Sequence, residues 1–412
     1  MHHVDTHFDP KLGEEETVAS LGPKARSIPL QVGLGGLAVA VVASFLSKGG
    51  TEHLAYSYLI ALAYVASISL GALFFVSVQH VVRAGWSVVI RRLAEILATG
   101  LIPIALLFLP ILILVMLGSK TPYIWANPEV VAGDALIQGK SAYLNSTFFI
   151  IRNLIYFGFW AWLSRFYLIE SRKQDVTGDP NLSFRLEGVA APCILLFALT
   201  LTFASFDWLM SLQPQWFSTI FGVYYFAGAV MSFFATMSLL SIGLLKQGKL
   251  QNSVTVEHRS DLGKLMFGFT CFWAYMAFSQ YLLIWYSNIP EETHWYDIRQ
   301  NHGWQYVSLA LIFGHFVLPF LGLLSRHVKR NINGLRFWAV WLLVMQWIDL
   351  YWLAMPALHP ETGPSFGIVD IGCMVGVVGL WLFGIQKLNA DVPLMAVRDP
   401  RLPESLAFHN YY

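Results

Sequence analysis

Two aspartates lie inside long apolar stretches of this 412-residue sequence, each seven residues ahead of a proline. Asp207 sits in Ser205-Phe206-Asp207-Trp208, before Pro214, and Asp349 sits in Gln346-Trp347-Ile348-Asp349, before Pro356. A charge at mid-bilayer costs at least about 2.5–3.5 kcal/mol on insertion scales, so each such residue needs an account. A carboxyl removed from water favours its neutral form and can exchange a proton with a neighbour. Asp207 and Asp349 are therefore candidate proton-transfer groups. The structural alternative is a helix-end carboxyl that is capped or paired, with Arg152 at the matching depth for Asp207 and His302 or His315 within conceivable reach of Asp349. His315 falls near the middle of its own apolar stretch and is a third candidate, because imidazole titrates near neutral pH; the plainer reading is a hydrogen-bonded core histidine.

A second set of ionisable residues gathers where apolar stretches end. Gln79, His80, Arg83, Arg91, Arg92 and Glu95 cluster between two of them, and Glu187 opens another. His258, Arg259, Asp261 and Lys264 occupy the corresponding place later in the chain. Such turns contact lipid headgroups and form ion pairs. Alternatively, Glu95, His80 and Glu187 form the inner mouth of a proton path, with Gln280 and Gln346 bridging it through water. Asp370, at the start of the last stretch, reads as an N-terminal carboxylate at the interface.

These residues need elements that hold them in a membrane. The chain is 56% hydrophobic and only 12% charged, about half the charge of a soluble protein. That excludes a cytosolic enzyme, a disordered chain and a nucleic-acid binder. A span needs about 20 apolar residues, and ten stretches qualify, near 28–47, 54–78, 95–117, 147–169, 189–211, 217–245, 264–287, 303–325, 334–357 and 367–388. With these spans, 21 of the 26 basic residues fall on one side. Only Lys48, Lys120, Lys140 and Arg299 fall on the other, and Arg152 lies just inside a span. The positive-inside rule places both termini in the cytoplasm. The expected organisation is an N-terminal tail (1–27), a ten-helix transmembrane domain (28–388) and a C-terminal tail (389–412). The first tail carries His2, His3, Asp5, His7 and Glu14 to Glu16 and does not resemble a secretory signal. Two longer outer loops, 118–146 and 288–302, are acidic and aromatic; they read as interfacial anchors or as a docking face for a partner.

The Asp-to-Pro pattern recurs four spans apart, in helices of the same direction. This predicts an all-α membrane protein with two related four-helix bundles, spans 2–5 and 6–9, flanked by helices 1 and 10. Three scattered cysteines, Cys193, Cys271 and Cys373, form no cluster-binding motif, and no histidine pair on facing helices suggests haem or another metal. The sequence thus offers no redox centre of its own.

The stretch from Ser205 through Asp207-Trp208-Leu209-Met210-Ser211-Leu212-Gln213-Pro214 to Gly222-Val223-Tyr224 resembles the NrfD-type (polysulfide reductase) integral membrane subunits, most of all the ActF class of alternative complex III. The resemblance covers essentially the whole transmembrane part. It implies a multi-pass subunit in a bacterial inner (plasma) membrane, within a complex that oxidises quinol and reduces a cytochrome c or cupredoxin. Haem c and iron–sulfur subunits and a second NrfD-like subunit are the implied partners, and menaquinone is the implied cofactor of the complex. The quinol site is better supported for the second NrfD-like subunit. For this chain the implied role is proton translocation and assembly, with a vestigial quinone pocket at Asp207, Arg152 and Trp208 as a further expectation. By position, the proton path carries over to Asp207, Asp349, His315 and the inner cluster Glu95, His80 and Glu187. Two rivals stand beside this reading: a pure scaffold subunit, and a secondary transporter. Parallel repeats without broken mid-membrane helices speak against the transporter.

Overall fold

The computed structural model describes residues 16–46 and 49–410. The N-terminal residues His2, His3, Asp5, His7, Lys11, Glu14 and Glu15, and Lys48, lie outside the described residues. The chain is helical throughout, and among the described residues the only β pairing is the isolated bridge between Thr17 and Pro393. Ten long helical stretches carry the architecture: α1 (Pro23–Leu46), α2 (Gly50–Val81), α3 (Val88–Met116), α4 (Ser146–Thr177), α5 (Asn181–Trp208), α6 (Phe221–Lys246), α7 (Val256–Ser287), α8 (Trp304–Leu324), α9 (Ile332–Ala354) and α10 (Ile368–Leu388). Among the described residues, nine of the ten are long and apolar enough to cross a membrane. The exception is α4, 32 residues long, whose apolar run is interrupted by Arg152, Arg165, Glu170, Arg172 and Lys173.

Helix α2 is the axis of the molecule, packing against α1, α3, α5, α6, α9 and α10. Its small residues let neighbours come close. At Gly71, a Cβ would lie 2.6 Å from the Ala229 carbonyl oxygen of α6. The tightest pairing joins the two flanking helices, where Gly33 and Gly36 of α1 face Gly372, Gly376 and Gly379 of α10. A Cβ on Gly36 would meet the Gly376 backbone at 2.7 Å. Small residues at this crossing gain backbone packing where lipid supplies no hydrophobic drive.

Prolines break two helices near the site. In α3, Pro103 and Pro110 withhold the N–H groups due to Thr99 and Leu106, and the helix runs as Val88–Ala98, Leu101–Leu107 and Leu109–Met116. In α8, Pro319 withholds the N–H due to His315, and the turn Leu311–Val317 winds as a π-helix. That local unwinding was not expected from the sequence. π-Turns of this kind occur mostly as short insertions in α-helices.

The C-terminal segment is part of the packed body. Val392, Leu394, Met395, Ala396 and Val397 are buried, and Val18 donates its backbone N–H to Val392. The two ends of the described chain therefore meet at one end of the bundle. The loop 288–303 and the helix Pro290–Ile298 lie at the other.

Candidate functional site

Asp207 and Asp349 stand at the same distance from the prolines that follow them but face different chemistry. Asp207, fully buried at the end of α5, accepts two bonds of 2.8 Å from the Arg152 guanidinium and one of 2.9 Å from the Tyr156 hydroxyl. Arg152 also donates to the Tyr143 carbonyl and lies over the Tyr143 ring at 3.9 Å. Trp208 donates its indole N–H to Asn153 at 2.7 Å and packs against the rings of Phe108, Phe157 and Trp160. Asp207 and Arg152 thus bind each other, and Trp208 binds its own neighbours. A quinone ring needs donors for its carbonyls, and here the strong donors, the Arg152 guanidinium and the Trp208 indole, are already committed. These residues do not fit the group.

Asp349 is sealed in the second half, 1% exposed. One carboxyl oxygen accepts from the Tyr224 hydroxyl of α6, and the other accepts from the Trp273 indole of α7 at 3.2 Å. Among the described residues no cation pairs with it. Neither histidine considered from sequence reaches it. His302 is exposed on the loop before α8. His315, fully buried in the π-turn, stacks on Trp273 with ring centroids 3.8 Å apart and lies 3.3 Å from the Met231 sulfur, with Nδ1 unpartnered. Trp273 therefore stands between His315 and Asp349. An indole only donates, so it orients the carboxyl but cannot pass a proton from the imidazole.

Polar groups lead away from Asp349 on both sides. One turn back along α9, Gln346 is 1% exposed and its Oε1 has no hydrogen-bond partner. Gly228 makes the room for it, since a Cβ there would sit 2.6 Å from that oxygen. Tyr224, in turn, lines a cleft of about 820 Å³ between α7 and α8, together with Trp273, Gln280, Tyr296 and Arg299. Gln280 accepts from Ser218 at 3.3 Å and donates to Tyr296 at 3.2 Å. The hydroxyl of Tyr224 both donates and accepts. It joins the buried carboxyl to the cleft.

The ionisable cluster at the chain-terminal end is a network of ion pairs buried in protein, which corrects the expectation of headgroup contacts for Arg91 and Arg92. Glu95 receives Arg91 at 3.3 Å and Arg92 at 2.9 Å; Arg92 also holds Asp175 at 2.7 Å, and Arg91 holds Asp399 at 2.5 Å. The C-terminal segment covers this turn and removes it from lipid. Burial pushes the Asp399 carboxyl up, but the Arg91 charge and hydrogen bond, aided by Arg401, outweigh it and hold the group below the usual carboxylate range. Glu187 pairs with Arg83 at 3.0 Å and with Arg401. His80 is buried, stacked on Tyr167, with Nε2 unpartnered. No hydrogen bond among the described residues joins Glu95, His80 and Glu187 to one another.

At the opposite end, Asp370 accepts from the Gly367 N–H at 2.8 Å, as its place at the head of α10 suggests. It also meets His53 at 3.1 Å and Ser57 at 2.7 Å, and His53 meets His359 at 3.2 Å. Burial, then the nearby His53, hold His359 below the usual imidazole range. Among the described residues no group of three His, Cys, Asp or Glu side chains could hold a metal ion, and Cys193, Cys271 and Cys373 are free thiols.

Comparison with protein-family models and with curated proteins finds no match. The site is read on its geometry. Tyr224, Trp273 and Arg299 escaped the sequence reading as site residues. A signal existed for Arg299, a basic residue on the side that the charge bias leaves almost bare. Tyr224 is marked only as the last residue of the stretch that runs on from Asp207, and Trp273 carries no mark among 15 tryptophans.

Proposed function

We propose that this chain is a proton-handling membrane subunit of a quinol:electron-acceptor oxidoreductase of the alternative complex III kind, with Asp349 as its central proton-exchanging group. One observation carries the reading: a carboxyl sealed among α6, α7 and α9 is bonded only by neutral donors. A carboxylate without a cation is costly in such surroundings, and the neutral acid is the affordable form. Such a group gains and loses a proton when its surroundings change. The unpartnered Gln346 oxygen supports a watered approach on one side, and Tyr224 supports an exit into the cleft on the other. Asp207, locked by Arg152, serves as a strut in this reading, and His315 fixes Trp273.

The quinone expected for the complex finds no fitting place at Asp207, Arg152 and Trp208. Quinol oxidation and electron transfer belong to the partners: the second NrfD-like subunit and the haem c and iron–sulfur subunits. Ten crossings fit the meeting of the two chain ends, which requires an even number. Helix α4 supplies the tenth, its Arg152 neutralised by Asp207. The basic bias of the loops supports cytoplasmic termini, and the family resemblance implies a bacterial plasma membrane.

Affinity purification of the tagged chain from its native membrane tests the assignment. It should bring down haem c and iron–sulfur subunits with quinol:acceptor activity that is lost on deletion of the chain. A chain that purifies alone, stable, and carries a solute into liposomes would establish the transporter instead.

A further inference from the structure

We propose that the cleft between α7 and α8 holds an anionic phospholipid, with its phosphate beside Arg299 and an acyl chain along Phe278, Ile312 and Phe316. The cleft is lined by an uncompensated charge. Arg299 is fully buried, and its five N–H groups go to neutral acceptors: the carbonyls of Trp295, Trp352 and Leu353 and the Gln213 side-chain oxygen. Its guanidinium lies 3.3 Å from the Trp295 ring centre. Among the described residues no carboxylate pairs with it. A buried ion without a counter-charge is strongly unfavourable, and the cleft that Arg299 lines is where a counter-charge can sit.

The polar end of the cleft supplies donors rather than acceptors. Tyr296 accepts from Gln280, and no protein acceptor for its own O–H is found among the described residues. The Gln305 oxygen is taken by the Gly303 N–H at 2.7 Å, which leaves its amide N–H groups. An anionic, oxygen-rich head matches this set: Tyr296, Gln300 and Gln305 donate, and Arg299 contributes its field. The other end is apolar, with Phe278 and Ile312 more than half exposed. Gln305 opens α8 and Phe316 lies eleven residues on, about 16 Å at 1.5 Å per residue. That run places a headgroup at the helix mouth and a chain inside the hydrocarbon. The volume, about 820 Å³, falls within the range of ligand cavities, about 300–1,000 Å³.

The test is native mass spectrometry on the detergent-purified complex after delipidation. Deuterated phosphatidylglycerol, phosphatidylcholine or menaquinone is then added back. The wild-type complex should retain phosphatidylglycerol on this chain, preferring it about tenfold over phosphatidylcholine, a difference of about 1.4 kcal/mol. Ile312→Trp, which fills the apolar end from its lipid-facing rim, and Gln305→Glu, which sets a carboxylate against the phosphate, should each abolish retention with helix content unchanged. Equal retention of phosphatidylcholine, retention of menaquinone in place of phosphatidylglycerol, or undiminished retention by both folded variants would overturn the proposal.

Discussion

Arg152 donates two N–H···O bonds of 2.8 Å to Asp207, whereas Asp349, at the same distance from its own proline, receives only the Tyr224 hydroxyl and the Trp273 indole. One pattern in the sequence has thus been put to two uses. A buried carboxylate met by a guanidinium is a fixed charge pair; a buried carboxyl met by neutral donors can change its proton occupancy.

The pair at Asp207 predicts a stability effect. Arg152→Gln leaves the carboxylate without its counter-ion and should cost about 3–5 kcal/mol, as for other buried pairs broken on one side. Thermal unfolding of the purified complex, followed through this chain, reads the loss. Unchanged unfolding would show that the pair contributes nothing to the fold.

His315 predicts the opposite kind of result. Trp273 separates it from Asp349 and has no acceptor atom for a proton in transit. His315→Phe keeps a flat ring against the indole, so the complex should assemble with unaltered turnover and proton-to-electron ratio. Loss of proton coupling in an assembled His315→Phe complex would place the imidazole on the path after all.

The C-terminal segment should respond to acid. Asp399 titrates below its unfolded value in the native state, so its contribution is complete above the unfolded value, near pH 4, and is lost as the pH falls through the native one. The protection factors of backbone amides around Val397 to Leu402, taken against the intrinsic rate at each pH, should fall on acidification below about pH 4, and Asp399→Asn should show the lower protection already at pH 7. Equal protection in the variant would show that Asp399 does not hold the C-terminal segment in place.

The glycine crossing of α1 and α10 leaves no room for a side chain. Gly376→Leu should cost about 1–3 kcal/mol or displace α1, as overpacking does elsewhere. Cysteine cross-linking between α1 and α10 reports the displacement, and efficient cross-linking in the variant would contradict the packing described.

What could be read from the sequence followed from patterns that survive folding. Apolar length marks a spanning helix wherever it packs, and nine of the ten expected stretches meet that standard in the structure. Asp207 and Asp349 stood out because charge is rare in such stretches. The partners were harder to foresee. Arg152 was within reach of Asp207 by depth alone, but Tyr224 and Trp273 approach Asp349 from helices that only the fold brings together. The packing of the C-terminal segment is hidden for a related reason: its apolar run from Val392 to Val397 is too short to announce itself, yet it seals the charged turn at Arg91, Arg92 and Glu95.

The measurement that tests the account most directly is the proton-to-electron ratio of the assembled complex carrying Asp349→Asn. The amide keeps the size of the side chain and can still accept from Tyr224, so assembly and the reduction of the acceptor should persist. Proton release per electron should fall relative to wild type, while His315→Phe stays at the wild-type value. An assembled Asp349→Asn complex with the full ratio would contradict the role assigned to this carboxyl.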